Sequence, residues 1–388
     1  MNPEVASVSD VLVIGAGPVG LAAACMLREA GQAVTVVDAG PAARAQQDRR
    51  IIALSAGSRD ILQGLGAWPG GDMTPIGTIH ISQRGHFGRT ELRASDFAVD
   101  ALGHVAPAGV IASALLRRAE SLGVDIRHNC PATAPDAWQA RIATPQGDMS
   151  AQVLLWCEGR IDGEDALSRS REYDQHAIVT LAAPAKPHGH VAYERFTPHG
   201  PVALLPCGRD YAVVYTCRQQ ELDALMSESD AAFMRRLSGA LGERVQFSSI
   251  APRASWPLVL RMRADIVRGR QVWLGNAAQT LHPVAGQGLN LALRDVAQLA
   301  DSLLPALSRG EPETESALRR YAARRRLDRQ ATGSFTDLLA QAFTLGAERP
   351  FLGPLAGHVR GAALALLDAC PPARAFLGRR MMYGARGW

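Results

Sequence analysis

Asp10–Asp38 reads DVLVIGAGPVGLAAACMLREAGQAVTVVD, and this stretch decides the fold. Asp10–Ile14 is a continuous apolar run of the kind found in strands buried on both faces. Gly15-Ala16-Gly17-Pro18-Val19-Gly20 follows, then a helical pattern over Leu21–Ala30 and a second strand at Val34–Val37. The chain therefore places G-x-G-x-x-G between a strand and a helix, with an acid, Asp38, 18 residues after Gly20. That is the context the dinucleotide fingerprint requires. Gly15 makes the turn, Gly17 admits a pyrophosphate, and Gly20 lets helix and strand pack closely. Asp38 suits ribose hydroxyls, and no adjacent arginine is placed to hold a 2′-phosphate. FAD or NAD is favoured over NADP at this first site.

A second stretch, Gly275–Asn290, reads GNAAQTLHPVAGQGLN and runs on as LALRD. The apolar Gln271–Leu274 before it reads as a short strand, and Leu289–Leu304 after it shows helical spacing, with Asp295 and Asp301 on its polar side. A helix start carries free N–H groups and partial positive charge. Gly286 and Gly288 let backbone approach a ligand closely. The loop suits an electron-rich ring or its phosphates; an ordinary strand–turn–helix corner has the same outline.

The 388 residues predict two or three domains with a sizeable core. A net charge of +4 is too small to argue for nucleic acid. Lys186 is the one lysine; every other basic residue counted there is arginine. No apolar run reaches the length of a membrane span, and MNPEVASVSD has no basic leader. Cys25, Cys130, Cys157, Cys207, Cys217 and Cys370 are scattered without a C-x-x-C, so no metal site and no dithiol pair is expected. A reducing cytoplasm is the economical setting.

Along the chain, Asp48–Ser55 mixes arginines with a strand-like run, and Arg50 is either a pyrophosphate partner or a solvated side chain. Ser58–Leu65 and Val110–Leu122 read as helices, and Thr78–Leu92 as a hairpin turning near Arg84-Gly85. Residues 171–258 change character, with short strands at Ile178–Leu181, Val191–Phe196, Val202–Leu205 and Tyr211–Thr216 and one helix at Glu228–Ala240. Tyr193, Phe196 and Leu204 are the expected pocket wall, although strand aromatics also build cores. Arg324–Arg326, within a helix expected over Glu313–Asp328, reads as a solvated face. The apolar tail, dotted with Arg360, Arg374, Arg379 and Arg380, either packs on the body or lies on a membrane or partner.

The expected fold class is α/β with an α+β second domain. A Rossmann-like domain would comprise 1–75, 101–170 and 260–330, and a mixed, largely antiparallel sheet domain 76–100 and 171–259. A helical C-terminal region would occupy 331–388.

Together these residues resemble the flavoprotein aromatic hydroxylases of the p-hydroxybenzoate hydroxylase fold, over about 10–380. The carrier is His282-Pro283-Val284-Ala285-Gly286-Gln287-Gly288-Leu289-Asn290 with Asp295. GNAAQTLHP at 275–283, SQRGHFG at 82–88, ALGHV at 101–105 and YERFTPHGPVALLP at 193–206 resemble the branch that hydroxylates 2-polyprenyl-6-methoxyphenol in ubiquinone biosynthesis. The resemblance implies FAD as cofactor, NAD(P)H as reductant and O₂ as oxidant. It implies that Gly15, Gly17, Pro18, Gly20 and Asp38 hold the dinucleotide, with Arg50 near the flavin. Glu158-Gly159 and Gly275-Asn276 match two further cofactor motifs. The loop His282, Pro283, Gly286, Gln287 and Gly288, running into Leu289 and Asn290, would face the isoalloxazine. His282, Pro283 and Gln287 are its candidates for contact with the reacting centre; His282 serves equally as a structural hydrogen bonder. A prenylated phenol drawn from a membrane surface or a biosynthetic assembly is the implied substrate, with the protein peripheral to a bacterial inner membrane.

Three positions depart from the pattern. The usual Ala-Asp-Gly is Cys157-Glu158-Gly159, a polar or arginine position early in a helix is Gly109, and a glycine is Ala292. The first two raise the alternatives of weakened cofactor use or a non-catalytic flavoprotein. A dehydrogenase or a halogenase of the same fold is the other rival, and the chain lacks the halogenase W-x-W-x-I-P.

Overall fold

A computed structural model describes residues 9–134, 136, 138–158, 161, 167–281, 287–342 and 352–384. Its helices are α1 (Pro18–Glu29), α2 (Ala56–Gly64), α3 (Ala108–Ser121), α4 (Leu222–Ser227), α5 (Asp230–Ala240), α6 (Gln287–Leu307), α7 (Glu311–Ala342), α8 (Leu352–Ala369) and α9 (Pro371–Tyr383). Ser9–Ile14 lies at the centre of a parallel core. It pairs with Val34–Val37 on one side and Gly147–Trp156 on the other, and Asp125–Arg127 and Gln271–Trp273 extend the parallel set. α1, α3 and α6 cover one face, burying Leu21, Ile111 and Leu299 against Val11, Val13 and Val153. Strands covered in this way need apolar side chains throughout, which is why VLVI and VTVV carry no alternation.

The second sheet is mostly antiparallel. Its spatial order is Gln279–Thr280, Ala254–Arg263, Leu167–Pro184, Asp210–Arg218, Gly200–Cys207, Val191–Thr197, Thr78–Gln83 and Arg89–Arg93. Val191–Thr197 with Thr78–Gln83 is the parallel pair, so the hairpin expected at 78–92 does join this sheet. The boundaries expected at 170/171 and 259/260 fall inside strands Leu167–Pro184 and Ala254–Arg263. That at 330/331 falls inside α7.

Side chains alternate across this sheet. Val202, Leu204, Tyr211, Val213 and Tyr215 enter a core closed by Phe233 and Leu237 of α5, with Ser229 capping that helix. Ala192, Phe196, Ala203, Leu205 and Val214 point the other way, into a cavity. α8 packs on Arg89–Arg93 and α9 on α2. A Cβ on Gly88 would run into the Gly361 carbonyl, so the hairpin and α8 meet backbone to backbone.

The arginine run corrects the sequence reading. Arg324 and Arg326 are exposed, but Arg325 between them is 1% exposed. A helix turns 3.6 residues, so Tyr321, Arg325, Asp328 and Arg329 share its buried side. Arg325 is ion-paired with Asp295 of α6 and, at 2.6 Å, with Asp328. Asp295, expected on a polar face, is itself buried. Gln279 donates to Asp295 at 3.0 Å and accepts from Arg329 at 2.7 Å. Arg329 also donates to the carbonyls of Arg263 and Ala278.

Removing one member of a buried ion pair strands the other charge. Arg325→Leu should cost about 3–5 kcal/mol, while Arg324→Leu should stay within about 0.5 kcal/mol. Denaturant melts of the two variants check this.

Candidate active site

One cavity of about 1300 Å³ runs from the start of α1, past the first turns of α6, to the inner face of the antiparallel sheet. It exceeds the roughly 300–1,000 Å³ that a small ligand needs, so a cofactor and a substrate both have room.

At the nucleotide end, Gly17 is the N-cap of α1 and no side chain caps the helix, which leaves its first N–H groups available. Gly15 N–H donates to Val37 O at 2.8 Å, fixing the loop. A Cβ on Gly20 would strike the Gly15 carbonyl, whereas one on Gly17 would meet no protein atom within 4 Å. Gly20 is thus required by packing and Gly17 by open space beside the cavity. Pro18 lines the same end. The Asp38 carboxylate accepts from Ala16 N–H at 2.6 Å and Gly40 N–H at 2.7 Å. An ionised carboxylate has about four acceptor positions, so two remain for ribose hydroxyls.

Glu158 lies against the same loop, its Cβ beside Gly15. Burial raises its pKa, and Asp38 raises it further; Arg44 and a backbone hydrogen bond from Ala39 oppose them. Hydroxyl donors between the two carboxylates would relieve that repulsion. Arg50 also lines the cavity, but its guanidinium is held by Asp48. Gly109 N–H donates to Asp48 O at 2.8 Å, and a Cβ there would run into the Gln46 carbonyl. The departure at 109 therefore has a steric reason: the 46–48 turn occupies the space of a longer side chain. That segment carries Arg44 and Arg49 to the cavity wall, two cations the sequence reading missed because their stretch shows no periodicity.

Gly275, Asn276, Gln287, Gly288, Leu289 and Ala292 line the middle of the cavity. Gly159, His282, Pro283 and Gly286 lie outside the described residues. Asn290 is corrected. Its Oδ1 accepts from Ser55 N–H at 2.8 Å and Ser58 Oγ at 2.7 Å, and its Nδ2 donates to Ala53 O at 2.9 Å. It is buried off the cavity wall and ties α6 to the strand–helix corner at 51–64.

On the sheet, Phe196 lines the cavity as expected. Leu204 does not; it is buried in the α5 core, because its register partner Tyr193 shares that face. Tyr193 borders the cavity, but its ring packs on His80 and Tyr211 on the α5 side. The inward residue sequence reasoning missed is Glu194. It pairs with Ala203 and Ile81, all three on the cavity face. Burial pushes its carboxyl up to about 8. The available signal was an acid at an inward position of an alternating strand, between Ala192 and Phe196.

Fold and site define a flavin-dependent oxidoreductase with a dinucleotide pocket opening onto a separate substrate wall. The model of the FAD binding domain family matches residues 8–154 and 156–336, and the chain belongs to that family of FAD-dependent monooxygenases. It is 31% identical to the ubiquinone hydroxylase UbiL of Rhodospirillum rubrum, over 87% of this chain and 82% of that one. It is 27% identical to the 3-demethoxyubiquinol 3-hydroxylase of Escherichia coli, covering 87% and 90%. Its fold matches PqsL, a probable FAD-dependent monooxygenase from Pseudomonas aeruginosa, with a TM-score of 0.72 at 21% identity, covering 87% and 97%. FAD is the cofactor, with NAD(P)H and O₂ as co-substrates.

The residues present fit FAD: an open cradle at Gly17, the acids Asp38 and Glu158 close by, and nearby arginines. The cofactor supplies electron transfer from NAD(P)H and activation of O₂. With FAD bound, the α1 start would face the pyrophosphate, Asp38 and Glu158 would stand beside the ribose, and the α6 start would add positive potential beside the ring. The apolar sheet face excludes water.

Gly17→Val should leave the thermal midpoint unchanged and abolish FAD binding, whereas Gly20→Val should lose the fold. Circular dichroism and flavin fluorescence titration separate the two outcomes.

Proposed function

We propose that this protein hydroxylates the ring of a prenylated phenol, in the manner of a ubiquinone-biosynthesis hydroxylase. The observation that carries the reading is the distribution of charge along the cavity. Arg44, Arg49 and Arg50 stand at the nucleotide end. Among the described residues, the sheet wall and the helices opposite it contribute no arginine or lysine. A small aromatic acid would need a buried cation on that wall; a phenol with a hydrocarbon tail needs apolar surface. Leu364 and Leu367 of α8 and Leu377 and Met381 of α9 supply it. Hydrocarbon leaving water gains roughly 25 cal/mol per Å². The names of the ubiquinone hydroxylase relatives support the same substrate class.

A prenyl phenol is scarcely soluble, so the protein meets it at an interface. No helix among the described residues is long and apolar enough to cross a membrane. Phe87, Val359, Leu366 and Phe376 are each more than half exposed on the hairpin and on α8 and α9, the helices that close the cavity. Of the tail arginines expected to meet lipid, Arg374 pairs with Asp368 and Asp96, and Arg380 with Asp328. Apolar side chains rather than these arginines are the contact on this reading.

With FAD-reconstituted protein, 2-methoxy-6-prenylphenol should stimulate NAD(P)H oxidation and yield a hydroxylated product, and 4-hydroxybenzoate should not. Turnover of the acid alone would overturn the proposal. FAD binding without any phenol-dependent turnover would favour a non-catalytic flavoprotein.

A further inference from the structure

Glu194 is the one acidic side chain on the sheet wall of the cavity among the described residues. Its strand neighbours Tyr193 and Arg195 face away: Tyr193 stacks near Tyr211, and Arg195 donates to Ser82 Oγ at 3.1 Å. Glu194 itself lies between Ile81 and Ala203 on the adjoining strands. The groups facing the cavity from the surrounding elements are Ile79 and Ile81, Ala203 and Leu205, Val214 and Thr216, and the α8 and α9 leucines. None of these titrates. The cavity's other charged groups (Asp38, Arg44, Asp48, Arg49, Arg50 and Glu158) and His128 belong to the dinucleotide half. The Glu194 side chain is half-buried on the cavity wall and has no ion-pair partner among the described residues. Keeping an acid on an otherwise apolar wall costs stability, and a packing role would be filled better by leucine.

Resting on the phenol reading above, we propose that Glu194 receives the hydroxyl group of a neutral phenol and accepts its proton as the ring is hydroxylated. The phenol O–H bond breaks, the proton forms an O–H bond on the Glu194 carboxylate, and the electron pair stays on the substrate oxygen. That pair enriches the ring carbons ortho and para to it, where an electrophilic oxygen is taken up. On rearomatisation the ring C–H bond breaks and its proton restores the substrate O–H, while Glu194 gives its proton to the second oxygen of O₂, which leaves as water, and is a carboxylate again. Above about pH 8, where it is ionised, the same carboxylate excludes aryl carboxylates, since two like charges in a low-dielectric cavity repel. Its elevated pKa brings it close to a phenol near 10, so transfer is far less uphill than to an ordinary carboxylate.

The sign of the pH dependence follows. A carboxyl held at about 8 is neutral below that pH and becomes the acceptor above it. Turnover of 2-methoxy-6-prenylphenol should rise through this range, and Glu194→Gln should lower kcat about a hundredfold and remove the rising limb. Calorimetric titration of the oxidised holoprotein gives a readout without turnover. At pH 9, Glu194→Gln should bind the phenol about tenfold more weakly and 4-hydroxybenzoate more tightly than the parent does. Flavin fluorescence shows that each variant is folded; should Glu194→Gln fail to bind FAD, Glu194→Asp carries the same comparison, with partial retention of the limb expected. An unchanged rate, pH limb and affinity pair in the folded variant overturn the role of Glu194. If the parent turns over no phenol, the function proposed above fails, and the 4-hydroxybenzoate titration still decides whether the carboxylate excludes acids.

Discussion

Asp295 and Arg325 meet where α6 crosses α7, and both side chains are withdrawn from water. The Asp295 carboxylate takes Arg325 on one oxygen and Gln279 on the other. Gln279 lies four residues after Gly275, and Asp295 eight after Gln287, so the pair holds both approaches to the middle of the cavity. Arg329 completes the clamp by donating to Gln279 and to two carbonyls. Hydrophobic contact alone would let α6 slide against α7 at small cost. Charged groups taken out of water tolerate few geometries, so the clamp fixes where the first turn of α6 stands. Asn290 adds a second tie in that first turn, to the corner at 51–64. The cofactor-facing surface is set from behind, by residues that do not touch it.

The antiparallel sheet divides two environments with one layer of backbone. Its α5 face is a packed core of Val202, Leu204, Tyr215 and Phe233. Its other face is left uncovered by core and borders the cavity. Alternation makes the two faces independent, since a change at an even position of Val191–Thr197 leaves the odd side's packing in place. A substrate wall built this way can be altered without touching the core that supports it.

Much of this was legible in the chain. The parallel core followed from the uninterrupted apolar runs at 10–14 and 34–37, and the hairpins from alternation with glycine turns. The family followed from two glycine loops at separate places in the sequence. Face assignment was harder: Tyr193 and Leu204 looked like wall residues because they are bulky and lie in the right strands. Register decides which way a side chain points, and register is a property of the pairing, not of one strand. Three arginines in a row resemble a solvated surface; only the partners Asp295 on α6 and Asp328 on α7 distinguish Arg325 in the middle. Gly109 departs from a polar or arginine position of the resembling pattern, and the 46–48 turn lying on it leaves no room for a longer side chain, a reason no single stretch of sequence carries.

The placement of charge ties these parts together. Arginines and three acids, Asp38, Asp48 and Glu158, gather at the end where phosphates and sugars would belong. Beyond the α6 start the wall turns apolar, so field lines from any remaining charge spread through low-dielectric protein rather than water. A single carboxylate in that region acts on whatever ring lies beside it far more strongly than a surface acid would. On the phenol reading proposed above, the apolar wall that would accept a hydrocarbon tail is also what would make one acid sufficient to orient a phenol. Tail recognition and ring activation would then follow from the same absence of water.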